Sequence, residues 1–197
     1  MSSILVDFFS TEPAFISPNA EDGFSIVGEE NSPNRFIIIG DGDDNVVGGN
    51  LRDLIFSGKG DDVLDGKGGN DRIRGGQGDD VIVGGEGDDK LRGGKGNDII
   101  IGGEGSDNLR GGKGEDILIG GEGDDVFEFF SKNLESGVID QIADFTKGED
   151  SIVVKGVSSV EYDMASGTVK INGQDAINLT PGTELDINQE GDNFELF

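Results

Sequence analysis

The chain of 197 residues has no cysteine and no histidine. Without cysteine there is no disulfide framework and no thiolate metal site. Without histidine it lacks the commonest general base and the usual zinc or iron ligand. Basic residues are scarce: 15 lysines and arginines stand against 41 aspartates and glutamates, a formal net charge of −26. That balance argues against nucleic acid as a partner and in favour of cations. No apolar run approaches the ~18 residues of a membrane helix, so no transmembrane segment is expected. The opening MSSILVDFFSTEP has no basic n-region and no cleavage site, so a Sec-type signal is not expected either.

What the chain has in plenty is glycine, 36 residues of it. Strict period makes these glycines structural rather than a mark of low complexity. From Ile39 to Glu128 one nine-residue phrase is written ten times, clearest in GGQGDDVIV (75–83), GGEGDDKLR (84–92) and GGKGNDIII (93–101). Position six is aspartate throughout: Asp44, Asp53, Asp62, Asp71, Asp80, Asp89, Asp98, Asp107, Asp116 and Asp125. Position eight is apolar throughout: Val46, Ile55, Leu64, Ile73, Ile82, Leu91, Ile100, Leu109, Leu118 and Phe127. A fixed period over this length predicts a solenoid, in which each unit buries its apolar residue by stacking on its neighbours.

The first six residues of each repeat read as a tight turn, with glycines that permit positive φ and let backbone carbonyls face an ion. The last three read as a short strand whose alternation sends position eight inward and positions seven and nine outward. A second period is visible in those outward residues. In odd repeats they are apolar: Val47, Val63, Val81, Val83, Ile99, Ile101, Ile117 and Ile119. In even repeats they include Arg72, Arg74, Lys90, Arg92 and Arg110. The true unit is therefore 18 residues with two strands per coil. The fold expected is all-β: a parallel β-roll, right-handed by the usual rule for parallel crossovers. Position three alternates as well, with Lys59, Lys95 and Lys113 along one edge and Glu86, Glu104 and Glu122 along the other.

One inward apolar residue in nine is a thin core for so much ordered glycine. The aspartates also stack in two rows, where like charges repel. A hard cation answers both deficits. Ca2+ takes six to eight oxygen ligands, which carboxylates and backbone carbonyls provide, whereas Mg2+ demands a tighter octahedron and keeps its waters. Transition metals prefer nitrogen or sulfur ligands. All ten aspartates are candidate ligands. An ion between successive turns of one edge allows at most about eight ions in the roll. Sites that use Asp53 are expected to be weak or empty, because Leu51 stands where glycine belongs and Arg52 adjoins the carboxylate.

Outside the array, residues 1–38 are expected to form an N-terminal cap over the open solenoid edge, with strands at 4–9 and 36–39 and turns at Pro13, Pro18 and Pro33. Residues 129–197 carry ordinary strand and hairpin signals (138–145, 150–156, 157–164, 168–173, 176–179, 184–188 and 193–197) and are expected to form an antiparallel β cap.

The phrase G-G-x-G-x-D-x-U-x, held over 39–128, resembles the RTX, or haemolysin-type calcium-binding, repeat. The resemblance implies that the turn aspartates and carbonyls bind Ca2+. It also implies that the chain leaves a bacterium unfolded by type I secretion, with an uncleaved C-terminal signal, and folds in external calcium. DQIADFTKGEDSI (140–152) looks like the stretch that follows the roll in secreted members, where Asp140, Asp144 and Asp150 would hold another ion. No enzymatic or pore-forming domain is evident, and no HExxH, so an enzyme is not expected. The function expected is a secreted, extracellular calcium-binding roll with a structural or cell-surface role. The alternative is a carbohydrate-binding module that takes an anionic polysaccharide along Arg72, Arg74, Lys90, Arg92 and Arg110. Self-association through the apolar sheet is a further expectation, since a patch of that size calls for a cover.

Overall fold

The structure is a computed structural model and describes residues 2–3, 24–27, 35–38, 40–134 and 138–197. One relation generates most of it: each residue of the array pairs in parallel with the residue eighteen further on, as Ile82 does with Ile100 and Gly85 with Gly103. Odd and even strands separate into two sheets. The first runs in space through Phe24–Val27, Asn45–Val47, Val63–Gly68, Val81–Glu86, Ile99–Glu104, Ile117–Glu122 and Asp140–Ile142. The second runs through Arg35–Ile38, Asp53–Lys59, Arg72–Gln77, Lys90–Lys95, Asn108–Lys113, Val126–Phe130 and Ser151–Lys155. This is the β-roll that the period predicts. No helix occurs among the described residues, and so none long and apolar enough to cross a membrane.

All ten position-eight side chains lie between the sheets and are at most 1% exposed. The strands are longer than expected. Val81–Glu86 and Lys90–Lys95 are six residues each, so a strand begun at position seven continues through positions one to three of the next repeat. That leaves three residues for the turn rather than six. The reason is that the inward face is not purely apolar. Alternation places aspartate (six), the aliphatic residue (eight) and glycine (one of the next repeat) on the same side, as with buried Asp80, Ile82 and Gly84. At position two, Gly76, Gly94 and Gly112 hold φ near 140°, and a Cβ at Gly94 would strike the Gly76 carbonyl.

The parallel ladders run past both ends of the array. Phe24–Val27 pairs with Asn45–Val47, and Arg35–Ile38 with Asp53–Lys59. The strand expected at 4–9, the three proline turns and Ile39 lie outside the described residues. At the other end, Asp140–Ile142 pairs in parallel with Ile117–Glu122, and Ser151–Lys155 with Val126–Phe130. The C-terminal part thus begins as another coil of the roll. Antiparallel pairs follow: Val160–Asp163, Thr168–Ile171 and Gln174–Asn178 form a meander whose last strand joins Asp140–Ile142 in parallel, and Ile187–Glu190 and Asn193–Leu196 form a hairpin on Ser151–Lys155. The Asn172–Gly173 turn has φ of 53° and 80°, the positive pair that a two-residue hairpin requires.

The outer face of the first sheet is partly open among the described residues. Val27, Val63, Ile99 and Ile117 are between 37% and 57% exposed, so no described segment lies over them.

Two glycines separate the effects of backbone and space. Gly94→Ala forces a side chain onto a strand-central positive φ and into a carbonyl, and is expected to cost about 3 kcal/mol or more. Gly68→Ala meets nothing nearer than 3.6 Å and lies outside the positive-φ set. It is expected to change stability by about 0.5 kcal/mol or less. Thermal unfolding in calcium, followed by circular dichroism, reads both.

Candidate metal centre

The ten position-six aspartates are all buried, at most 2% exposed. They form two rows, one along each edge of the roll. In the first, the Asp44 N–H donates to Asp62 Oδ1 (2.8 Å), Asp62 to Asp80 (3.0 Å), Asp80 to Asp98 (3.0 Å) and Asp98 to Asp116 (2.9 Å). The second repeats this through Asp53, Asp71, Asp89, Asp107 and Asp125 at 2.6–2.9 Å. One oxygen of each acceptor is thereby fixed by a backbone N–H of the preceding coil.

The second oxygen is the unusual one. Oδ2 of Asp80, Asp89, Asp98, Asp107, Asp116 and Asp125 is buried with no hydrogen-bond partner among the described residues. Burying an unmatched carboxylate oxygen is costly, and carboxyls relieve the cost by holding their protons. Burial, the largest cause, pushes Asp98 up to about 8, with Asp116 and Asp80 adding like charge. It pushes Asp80, Asp107 and Asp125 to about 7 and Asp89 and Asp116 to about 6.

Position-one glycine makes room for that oxygen. A Cβ at Gly84 would meet both Asp89 Oδ2 and the Gly102 carbonyl, and one at Gly102 both Asp107 Oδ2 and the Gly120 carbonyl. Anionic and carbonyl oxygens from successive coils therefore face one small space under each such turn. No three carboxylates converge among the described residues. A cation here must be held by carboxylate and backbone oxygens together. That donor set, all hard oxygen with one charge per turn, fits calcium.

Departures from the pattern are local. Ser57 replaces the position-one glycine in the Asp62 turn and its hydroxyl donates to the Gly75 carbonyl at 2.9 Å; burial raises the Asp62 carboxyl, and Ser57 offsets part of that rise. Asp53 Oδ2 already accepts the Gly49 N–H at 2.9 Å, in the turn that contains Leu51. Asp140, Asp144 and Asp150 do not gather at one point. Asp140 extends the first row, accepting the Asp116 N–H at 2.9 Å, and Asp150 the second, accepting the Asp125 N–H at 3.0 Å. Asp144 accepts the Gly120 and Gly121 N–H groups, both at 2.9 Å, and adds like charge to Asp125 and Asp150 at that edge. The signal for the two extensions is the D-x-I in Asp140–Ile142 and in Asp150–Ile152, a repeat reduced to its inward residues.

Sequence reasoning left position five without a role. Its side chains form a second ladder that runs the opposite way. Asp43 Oδ1 accepts the Asp61 N–H (2.9 Å), Asp61 that of Asp79 (2.8 Å), Asp79 that of Asn97 (2.7 Å) and Asn97 that of Glu115 (2.9 Å). Aspartate or asparagine at Asp43, Asp61, Asn70, Asp79, Asp88, Asn97 and Asp124 was the available signal. The basic stripe splits into two rows on the second sheet: Arg72 beside Lys90, and Arg74 beside Arg92 beside Arg110.

A family model described as the RTX calcium-binding nonapeptide repeat matches the chain in four copies, over residues 38–73, 65–100, 74–108 and 101–128. No curated protein matches the chain.

The raised carboxyls give a pH dependence whose sign follows directly. Unfolded, they titrate at their ordinary 3.8; in the cation-free roll they titrate at about 6 to 8. The proton-linked stability is complete below the unfolded value and is lost as pH rises through the folded values. Circular dichroism in calcium-free buffer is expected to show more β structure near pH 5 than near pH 8. Calcium affinity should rise over the same range, because binding displaces those protons.

Proposed function

Because residues 38–128 are RTX calcium-binding nonapeptide repeats, we propose that calcium is the folding partner of this roll and that the chain works outside the cell, where calcium is plentiful. The observation that carries the reading is the row of buried, unpartnered Oδ2 atoms. Once ionised, each of these oxygens lies buried without a donor among the described residues, next to others of the same sign. A cation held between the Oδ2 of one turn and the carbonyls of the next removes that cost, so its binding free energy is folding free energy. The ten turn aspartates, Asp44 to Asp125, are the ligands in this reading, with Asp53 the weakest; Asp140 and Asp150 continue the series. Eight ions in the repeats would bring the net charge from −26 to about −10.

Secretion follows from the same coupling. A chain that stays unfolded in low cytosolic calcium suits passage through a narrow type I exporter, and folding begins in millimolar calcium outside. The role is structural or at the cell surface. RTX rolls are a structural, non-enzymatic fold, and the reading assigns no catalytic residue.

Two substitutions test the coupling, one at a strong site and one at the weakest. Asp98→Asn removes a charge that is buried without a partner. At pH 8 it should increase β structure in chelator while raising the calcium midpoint by about threefold or more. Asp53→Asn should leave the midpoint nearly unchanged. A wild-type circular dichroism spectrum that is the same in chelator and in millimolar calcium would overturn the proposal.

A further inference from the structure

On the outer face of the second sheet, position two is glycine in successive coils, so Gly58, Gly76 and Gly94 form a bare floor across the strands. This floor is the bottom of a groove of about 460 Å3. Arg74 and Arg92 stand on one bank, continued in register by Arg110; Gln77, Lys95 and Lys113 stand on the other. Phe56 lines one end. At the other end Phe130 lies under Arg110, its ring centre 4.0 Å from the guanidinium carbon. The arrangement is local to this face of a chain that carries −26 overall.

The arginine bank is not consumed by internal pairing. Arg74, Arg92 and Arg110 make no ion pair among the described residues. Glu128, next in their row, forms its ion pair with Lys155 at 2.6 Å, while its charge also favours the Arg110 guanidinium. Nε of Arg92 and Nε and Nη2 of Arg110 are buried and have no hydrogen-bond partner among the described residues. Burial first, and the adjacent guanidinium second, pull both arginines below their usual range. Stacking cations in register is costly, as stacking the aspartates is, and an external anion relieves it.

We infer that this groove binds a linear, carboxylate-bearing polysaccharide laid along the roll axis, across the strands. Guanidinium forks match carboxylates bidentately. The arginines recur once per coil, about 4.8 Å apart, a spacing comparable to the rise of one sugar in an extended uronate chain. The glycine floor admits a ring without side-chain collision. A nucleic acid suits it less well, for there is no continuous aromatic row on which bases could stack.

Calorimetry of the full-length chain in millimolar calcium tests this, with a short oligogalacturonate as probe and neutral dextran, polyglutamate and single-stranded DNA as comparisons. Each variant is first shown by circular dichroism to be folded in calcium, so that a failed groove is distinguishable from a failed folding model. The oligogalacturonate is expected to bind and neutral dextran to give no heat. Arg74→Ala with Arg92→Ala should weaken binding by about tenfold or more, and Gln77→Glu, which puts a like charge on the opposite bank, should also weaken it. Arg72→Ala with Lys90→Ala, in the row beyond the groove, should change it by about twofold or less. Absence of oligogalacturonate binding overturns the inference. So does equal loss from the two double variants, or binding of polyglutamate or DNA as tight as that of the uronate.

Discussion

An ionised oxygen buried without a donor is the constraint on which this fold turns. The turns of Asp80, Asp89, Asp98, Asp107, Asp116 and Asp125 each carry one at position six, and the strands on either side hold it there, because aspartate lies on the same inward side as the core aliphatic residue two positions on. The same carboxylate is also a structural acceptor, since its other oxygen anchors the turn of the preceding coil. Asp98 therefore cannot leave the interior without breaking the ladder, nor stay there ionised without help. Calcium chemistry and β-roll geometry are two descriptions of the same row of atoms.

Much of this was legible in the chain because the two decisive positions have no substitutes. Aspartate at six and an apolar residue at eight, ten times over, announce the period, the inward face and the edges. The alternation of Val81 and Val83 with Lys90 and Arg92 announces two sheets rather than one. What stayed hidden has physical reasons. Glycines at positions one and two read as turn residues, yet they continue the strands, because pairing to the next coil outweighs their local preference. The position-five ladder escaped because it mixes Asp61, Asn97 and Ser106, and only backbone geometry reveals that Asp61 and Asn97 accept the same kind of N–H while Ser106 donates one to Asp88. The coil at Asp140 and Asp150 escaped because longer loops, with offsets of 24 and 25 residues instead of 18, break the period while preserving the contacts.

The groove shows another limit. Arginine and lysine rows are visible as text, but position two is silent there: glycine at 58, 76 and 94 reads only as backbone permission. In three dimensions that missing side chain becomes a channel with cations on both banks. The nonapeptide specifies its interior tightly and leaves positions seven, nine and three free, so the outer faces can vary without disturbing the ion rows.

The eighteen-residue translation has a consequence for how such a chain can change length. Removing or adding two repeats, as from Gly75 to Arg92, takes out or inserts one whole coil and returns every later strand to its own sheet. Removing a single repeat also closes each turn correctly and keeps every aspartate and aliphatic residue inside. It sends each later strand to the opposite sheet, so that beyond the junction valines and isoleucines would align with the arginine row. The interior counts in nines and the surface in eighteens. Duplication or loss of one repeat is therefore a change of surface rather than of fold.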